Sequence, residues 1–200
     1  EYTDEITEEE LAEQVQRLAD DSGINGIIVQ LPLPKHINAS KILNLVPAHK
    51  DVDALNADAS VLSPVTGAIR EILERNNVDL NNKKIVVVGK GKLVGMPTAI
   101  WLSQEGYEVE IVDKNTKDLA GVLQDADVII SGAGVAKLIK PEAIKEGVIL
   151  IDAGTSEDGG ALVGDADSAC AGKCSLFTPV PGGVGPITVA VIFKNLASLS

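Results

Sequence analysis

Aromatic residues are nearly missing from this chain: one Trp, two Tyr and two Phe among 200 residues. A surface that stacks nucleobases needs several, so a single-stranded nucleic-acid platform is disfavoured. Positive charge is also scarce. Lys plus Arg number 17 against 29 Asp plus Glu, a formal net charge of −12. Such a chain has little electrostatic attraction for a nucleic-acid backbone or an anionic membrane. No apolar run approaches the roughly 20 residues of a membrane span. Two cysteines form no disulfide framework and suit a reducing cytoplasm. Cys170 and Cys174 have no second pair to complete a zinc site, and His36 and His49 have no ligand spacing. With so few histidines no Ser-His-Asp set is recognisable. The chain opens on Glu1 rather than Met, without the form of a signal peptide, so a processed chain or a piece of a longer one is expected. What remains is an ordinary globular balance, 45% hydrophobic and 23% charged, in a length that suits one or two domains.

The charge is uneven. Residues 1–60 hold 12 acids and 4 bases, and Glu1 to Glu13 alone contain seven acids and no base. Thr7 with Glu10 three positions on has capping-box spacing, and Leu11, Val15 and Leu18 recur at helical spacing, so a solvated acidic helix is expected here. Gly26 to Leu31 is a short β-branched run that reads as a buried strand, stopped by Pro32 and Pro34, with Gln30 its odd polar member. Short helices are expected over 40–45 and 67–76. From Lys83 the rhythm changes. Apolar runs at 85–88, 108–112, 127–131, 148–152 and 175–178 alternate with helical segments at 94–104, 116–124 and 141–145, which implies a parallel sheet covered by helices. A last helix is expected over 187–199.

Three stretches could carry chemistry. The run Val88-Gly89-Lys90-Gly91-Lys92-Leu93-Val94-Gly95 leads a strand into a helix with G-x-G-x-x-x-G spacing. Gly89 would permit the tight turn, Gly91 the approach of a pyrophosphate and Gly95 close helix–strand packing, with the helix N-terminus favouring phosphate. It is not a Walker A loop, since no Gly-Lys-Ser/Thr follows. Asp113 ends the next strand, 24 residues after Gly89, where an acid commonly bonds the adenosine ribose and repels a 2′-phosphate. Lys90, Lys92 and Lys114 could instead attract that phosphate, so NAD and NADP both stay open. Asp113 could equally be a cap near Thr116. Asp51-Val52-Asp53 invites a metal reading, but the EF-hand frame places Leu62 where Glu is needed, so no metal is expected. Finally, Pro179 to Pro186 packs three prolines and three glycines into eight residues before a helix, a loop that either shapes a site or makes a rigid turn.

Taken in order, Val29-Gln30-Leu31-Pro32-Leu33-Pro34, Lys50-Asp51-Val52-Asp53, Gly89 to Pro97 and Pro179 to Thr188 resemble the bifunctional methylenetetrahydrofolate dehydrogenase/methenyltetrahydrofolate cyclohydrolase family. The resemblance implies an α/β fold: a Rossmann-type doubly wound parallel sheet plus the remnant of a smaller α/β catalytic domain. It implies a partial catalytic domain over 1–62, an NAD(P)-binding domain over 63–186 and a C-terminal helix over 187–200 that packs back toward the first domain. Folate would bind between the domains. A hydride would pass from the one-carbon bridge of 5,10-methylenetetrahydrofolate to NAD(P), and water would convert the methenyl product to 10-formyltetrahydrofolate. By this resemblance Gln30 and Asp53 are catalytic, Gln30 beside the family's catalytic Lys and Asp53 on the pterin ring. Pro181, Gly182 and Gly183 line the folate. Gly89, Lys90, Gly91, Gly95, Asp113, Lys114 and Thr155 serve the cofactor, NADP by family default and NAD by the presence of Asp113. A cytoplasmic homodimer acting on tetrahydrofolate derivatives, with no nucleic acid or membrane partner, completes the expectation.

Four departures stand out. The usual Gly-Arg-Ser of the phosphate loop is Gly89-Lys90-Gly91, and Lys lacks the bidentate fork of Arg. The usual His-Ser pair is Asp113-Lys114, and the usual Asp-Val-Asp-Gly ends in Ala54. The family's Tyr-x-x-x-Lys motif is not found: Tyr2 and Tyr107 are followed four residues on by Ile6 and Ile111. On this ground a truncated family member is expected, one that binds but does not hydrolyse. The competing readings are a dinucleotide-binding module without turnover and another amino-acid or hydroxy-acid dehydrogenase.

Overall fold

The computed structural model describes residues 3–200; Glu1 and Tyr2, which open the acidic stretch and include one of the tyrosines weighed above, lie outside them. The chain divides into two compact units, residues 1–64 with 190–200, and residues 65–189.

In the first unit, helix α1 (Glu8–Asp20) starts where Thr7 and Glu10 predict. The Glu10 amide donates to Thr7 Oγ1 at 3.2 Å and the Thr7 amide to Glu10 Oε2 at 2.9 Å. This closes the box that satisfies two otherwise orphaned donors. Val15 and Ala19 are buried with Ile27, Ile37, Ile42 and Val46, and Leu11 and Leu18 pack at the margin. At the other end of α1, Lys50 is 7% exposed and its Nζ donates to the carbonyls of Ala19 and Asp21, 2.7 Å each. A cation thus meets the negative end of the helix dipole. Helix α2 (Ala39–Leu43) is capped by Asn38. The expected strand at 26–31 is not formed as such. Only Ile27 pairs, in a single parallel bridge to Asp51, and Ile28 is 48% exposed. The run has strand composition, but among the described residues one partner residue is all the backbone finds, and composition alone does not supply the rest of a ladder.

The second unit holds helix α3 (Pro64–Arg75, begun by the last residue of the first unit), then β1 (Ile85–Val88), α4 (Gly95–Gln104), β2 (Val109–Val112), α5 (Leu119–Asp125), β3 (Val128–Ser131), β4 (Ile149–Asp152), β5 (Ser156–Asp158), β6 (Ala161–Val163) and β7 (Leu176–Phe177). Five strands form one sheet in the order β2-β1-β3-β4-β7, every pairing parallel. This is the Rossmann-type sheet the alternation implied. β1 and β3 are buried along their length, as parallel strands covered on both faces must be. The chain leaves β1 toward β2 on one side and later returns to β3 on the other. Such a reversal opens a crevice at the carboxyl ends of the strands.

Some boundaries move for visible reasons. α5 begins at Leu119 rather than Thr116, because Asp118 takes the cap, accepting from the Gly121 amide at 2.9 Å. The segment expected as a helix at 141–145 is a single 3-10 turn, Pro141–Ala143. The β5–β6 hairpin is absent from the sequence reading, although Gly159 and Gly160, both at positive φ, form the two-residue turn that marks one. The last helix, α6 (Val184–Leu199), starts three residues early and takes in Pro186, which the first turn tolerates since its amide needs no partner.

Candidate functional site

The crevice at the end of β1 is a cleft of about 480 Å³ lined by Val88, Gly89, Lys90, Asp113, Lys114, Leu119, Ala133, Val135 and Leu138. Its phosphate side is built on the close approach of backbones. Gly89 has φ +102, a conformation open to glycine, and a Cβ there would stand 2.8 Å from the Gly132 carbonyl. A Cβ on Gly95 would meet the Gly89 carbonyl group, its carbon at 2.7 Å. Gly91 is exposed on the turn, with nothing nearer its Cβ position than the Gly132 carbonyl at 3.9 Å. Behind it, α4 opens at Gly95 after Val94, which makes no side-chain cap; the Met96 amide already donates to the Gly91 carbonyl at 3.0 Å and Pro97 has none, which leaves the Gly95 amide for a ligand. The cradle therefore fits a dinucleotide pyrophosphate.

Asp113 ends β2 at the rim. Its carboxylate accepts the Asn115 amide at 2.9 Å and pairs with Lys90 Nζ at 3.0 Å, and its own amide donates to Thr116 Oγ1 at 3.0 Å. The Asn115 amide, then Lys90, hold its carboxyl below the ordinary range. Asp113 caps no helix, since Asp118 holds that place: one carboxylate oxygen makes the turn at Asn115 and the other meets Lys90 at the cleft. Of the cofactor candidates, Gly89, Lys90, Asp113 and Lys114 line the cleft. Gly91 rides on the turn, Gly95 is buried beneath it, and Thr155 is exposed outside the cleft lining.

The proline–glycine loop is also shaped by backbone approach. Gly182 has φ +106, and the Gly183 amide donates to the Pro179 carbonyl at 2.7 Å. A Cβ on Gly183 would fall 2.6 Å from that carbonyl. Pro181 and Gly182 are exposed at its tip.

In the first unit, Gln30 is exposed and its Nε2 donates to the neighbouring Leu31 carbonyl at 3.0 Å. Asp53 is half-buried. Asp51 is buried beside it, and its Oδ2 accepts the Asn56 amide at 2.7 Å. Burial first, and Asp51 second, push the Asp53 carboxyl up. No described residue donates to it, so its oxygens remain available for a ligand. Ala54, where the family usually has Gly, lies at φ 54. A Cβ there costs about 1 kcal/mol in the left-handed region. Ala54→Gly is therefore expected to raise stability by up to about 1 kcal/mol, less the added freedom of the unfolded chain, read as a higher denaturant midpoint with unchanged slope.

Sequence reasoning missed a pair of buried carboxylates under the cleft, Asp152 and Asp165, 1% and 0% exposed. Burial drives the Asp152 carboxyl up against the opposing pull of the Ala166 and Asp165 amides. The signal was present in Gly154 and Gly164. A Cβ on either would collide with the opposite carboxylate, Asp165 for Gly154 and Asp152 for Gly164.

Two family profiles match the chain: tetrahydrofolate dehydrogenase/cyclohydrolase, catalytic domain, over residues 1–53, and tetrahydrofolate dehydrogenase/cyclohydrolase, NAD(P)-binding domain, over residues 63–200. The bifunctional protein FolD of Staphylococcus aureus is 40% identical over 200 aligned residues, covering 94% of this chain and 70% of its own. The crystal structure of the bifunctional FolD methylenetetrahydrofolate dehydrogenase/cyclohydrolase from Campylobacter jejuni superposes with a TM-score of 0.93 at 35% identity, covering 98% of this chain and 74% of that one. The Trypanosoma brucei methylenetetrahydrofolate dehydrogenase-cyclohydrolase, solved with NADP cofactor and inhibitor, gives 0.91 at 33% identity over 98% of this chain and 73% of its own. With the glycine turn, the uncapped helix and the proline–glycine loop in place, the chain belongs to the tetrahydrofolate dehydrogenase/cyclohydrolase family.

Proposed function

We propose that this chain serves one-carbon folate metabolism, in the oxidation of 5,10-methylenetetrahydrofolate to the methenyl form; the family's hydrolysis of the latter to 10-formyltetrahydrofolate rests on the Tyr-x-x-x-Lys motif that residues 1–200 do not carry. The match of both family domains along the chain carries the reading. NAD(P) in the cleft supplies the hydride acceptor. Gly89, Lys90, Gly91 and the Gly95 amide would hold its pyrophosphate, Asp113 and Lys114 would serve the ribose side, and Thr155 would serve the nicotinamide side. Gly95 serves by keeping helix and turn close. Asp53 accepts the paired N–H donors of the pterin edge, Gln30 orients a neighbouring amine, and Pro181, Gly182 and Gly183 line the folate. The test mixes the protein with 5,10-methylenetetrahydrofolate and either dinucleotide and follows the absorbance of reduced nicotinamide. Reduction that needs both substrates is expected. Dinucleotide binding with no folate-dependent reduction would favour a binding module without turnover.

The preference for NAD rests on Asp113. Its carboxylate suits ribose hydroxyls, and while it holds Lys90 that cation is not free for a 2′-phosphate. NAD is expected to bind more tightly than NADP. Asp113→Ser removes the repelling charge and frees Lys90, moving the affinity ratio toward NADP by about tenfold, as for one charged hydrogen bond. Tighter NADP binding that Asp113→Ser leaves unchanged would make Asp113 a turn residue only and hand the discrimination to Lys90 or Lys114.

The protein is expected to be a homodimer. β2 is an edge strand, and beside it Ile111, Met96, Ala99 and the half-exposed Ile100 line an apolar groove of about 310 Å³. An open edge next to apolar surface invites pairing. Sedimentation equilibrium at twice the chain mass is the expected result. The free thiols of Cys170 and Cys174 accord with a cytoplasmic setting.

A further inference from the structure

The carboxylates of Asp152 and Asp165 are buried with no cation among their recorded partners, an expensive arrangement that apolar residues would avoid. What each one does instead is gather donors. Asp165 accepts from Ser131 Oγ at 2.6 Å, from the Ala133 amide at 2.6 Å and from the Val135 amide at 2.8 Å. Asp152 accepts from the amides of Gly154, Asp165 and Ala166 at 3.0, 3.2 and 2.8 Å. Its own amide donates to Thr178 Oγ1 at 2.7 Å. The two side chains thus tie together the segments that follow β3 and β4 and the 164–166 turn, and the Asp152 backbone adds Thr178, the residue after β7.

The tied loop reaches the dinucleotide cleft directly. Ala133 and Val135 line the cleft, Ala133 right beside the glycine turn, its Cα 3.1 Å from where a Cβ on Gly89 would stand. Between them and Ser131 lies Gly132, whose amide donates to the Val88 carbonyl at 2.9 Å. Gly132 packs against both Gly89 and the Val94 side chain, so closely that neither Gly89 nor Gly132 has space for a Cβ. Displacement of the 131–135 loop therefore displaces the phosphate turn as well.

Resting on the dinucleotide reading above, we propose that Asp165, oriented by Asp152, is a positioning residue of the cofactor site: it fixes the cleft lining through Ala133 and Val135, and the glycine turn through Gly132 between Ser131 and Ala133. It touches no cofactor and does not distinguish NAD from NADP. Asp165→Asn keeps the volume but replaces one acceptor oxygen by a donor, which must then face an amide or hydroxyl that also donates.

The test measures dissociation constants for NAD and NADP by calorimetry, amide hydrogen exchange and thermal unfolding. In Asp165→Asn both dissociation constants are expected to rise by the same factor, about tenfold as for one charge-assisted bond, with their ratio unchanged. The Ala133 and Val135 amides should exchange faster while Val86 and Ile129 stay protected. Ser131→Ala removes one donor and leaves the two amide bonds, so about a twofold to threefold effect in the same direction is expected. Asp113→Ser is the contrast: it should change the ratio and leave loop exchange alone. Freed Ala133 and Val135 amides with unchanged affinity in Asp165→Asn would overturn the proposal. So would a lower melting temperature with neither loop exchange nor affinity altered. If Asp165→Asn fails to fold, Ser131→Ala decides, and faster loop exchange with wild-type affinity would again overturn it. Failure of the unaltered chain to bind either dinucleotide would instead overturn the cofactor reading on which the proposal stands.

Discussion

Asp53→Ala is expected to abolish folate turnover while NAD(P) affinity stays within about twofold, since Asp53 belongs to a different unit from the cleft residues. The side chain is half-buried beside the buried Asp51 and is bonded by no described residue. A desolvated carboxylate with free oxygens gains more from two ligand N–H groups than a solvated one, because less water is displaced. Loss of that pair weakens folate binding by about 3 kcal/mol, on the order of 100-fold. The same geometry sets a pH dependence. Burial and Asp51 raise the Asp53 carboxyl above its ordinary value. The accepting form is the ionised one, so folate affinity falls as pH drops through the raised pKa, beginning at a higher pH than for an exposed carboxylate. Titration of tetrahydrofolate binding against pH measures this, and Asp53→Asn should flatten the profile. Full turnover by Asp53→Ala would remove Asp53 from the site.

Gly95→Ala is expected to cost both stability and cofactor. The added Cβ meets the Gly89 carbonyl group and stands 3.3 Å from the Lys90 amide nitrogen, all of it backbone. Either α4 retreats from β1 or the phosphate turn opens. Overpacking of this kind costs roughly 1–3 kcal/mol, a fall in melting temperature of roughly 5–10 °C at the upper end. Dinucleotide affinity should fall by at least about tenfold, because the turn that must move is the one that holds the pyrophosphate. Gly91→Ala separates the two effects. Its Cβ position is open, so wild-type stability is expected, with lost affinity only if a pyrophosphate approaches there. A wild-type melting temperature for Gly95→Ala would show that the helix can slide at no cost.

Much of the second unit was readable because its signals are local and agree. Four β-branched residues end in Gly89, the next strand ends in Asp113, and the alternation of strand and helix leaves a parallel sheet as the consistent solution. The capping box at Thr7 was readable for the same reason, since both partners lie within one helical turn. Composition misled at residues 26–31, which look like a strand, because a ladder needs partners that no property of the run itself provides. Gly159-Gly160 carries a local hairpin signal of the same kind as the capping box, since both residues sit at positive φ in a two-residue turn.

The sequence by itself determined the βαβ rhythm, the glycine turn, the position of Asp113 and the proline–glycine loop, because backbone conformation and side-chain period act over a few residues. Tertiary structure alone decided that Lys90 closes on Asp113 across 23 residues, that Lys50 caps α1 from 31 residues beyond Ala19, and that Asp152 and Asp165 meet beneath the cleft from separate segments. Each is a polar group whose worth depends on what shares its burial. The cost of removing a charge from water, and the donors that offset it, are set by neighbours that only the folded chain assembles.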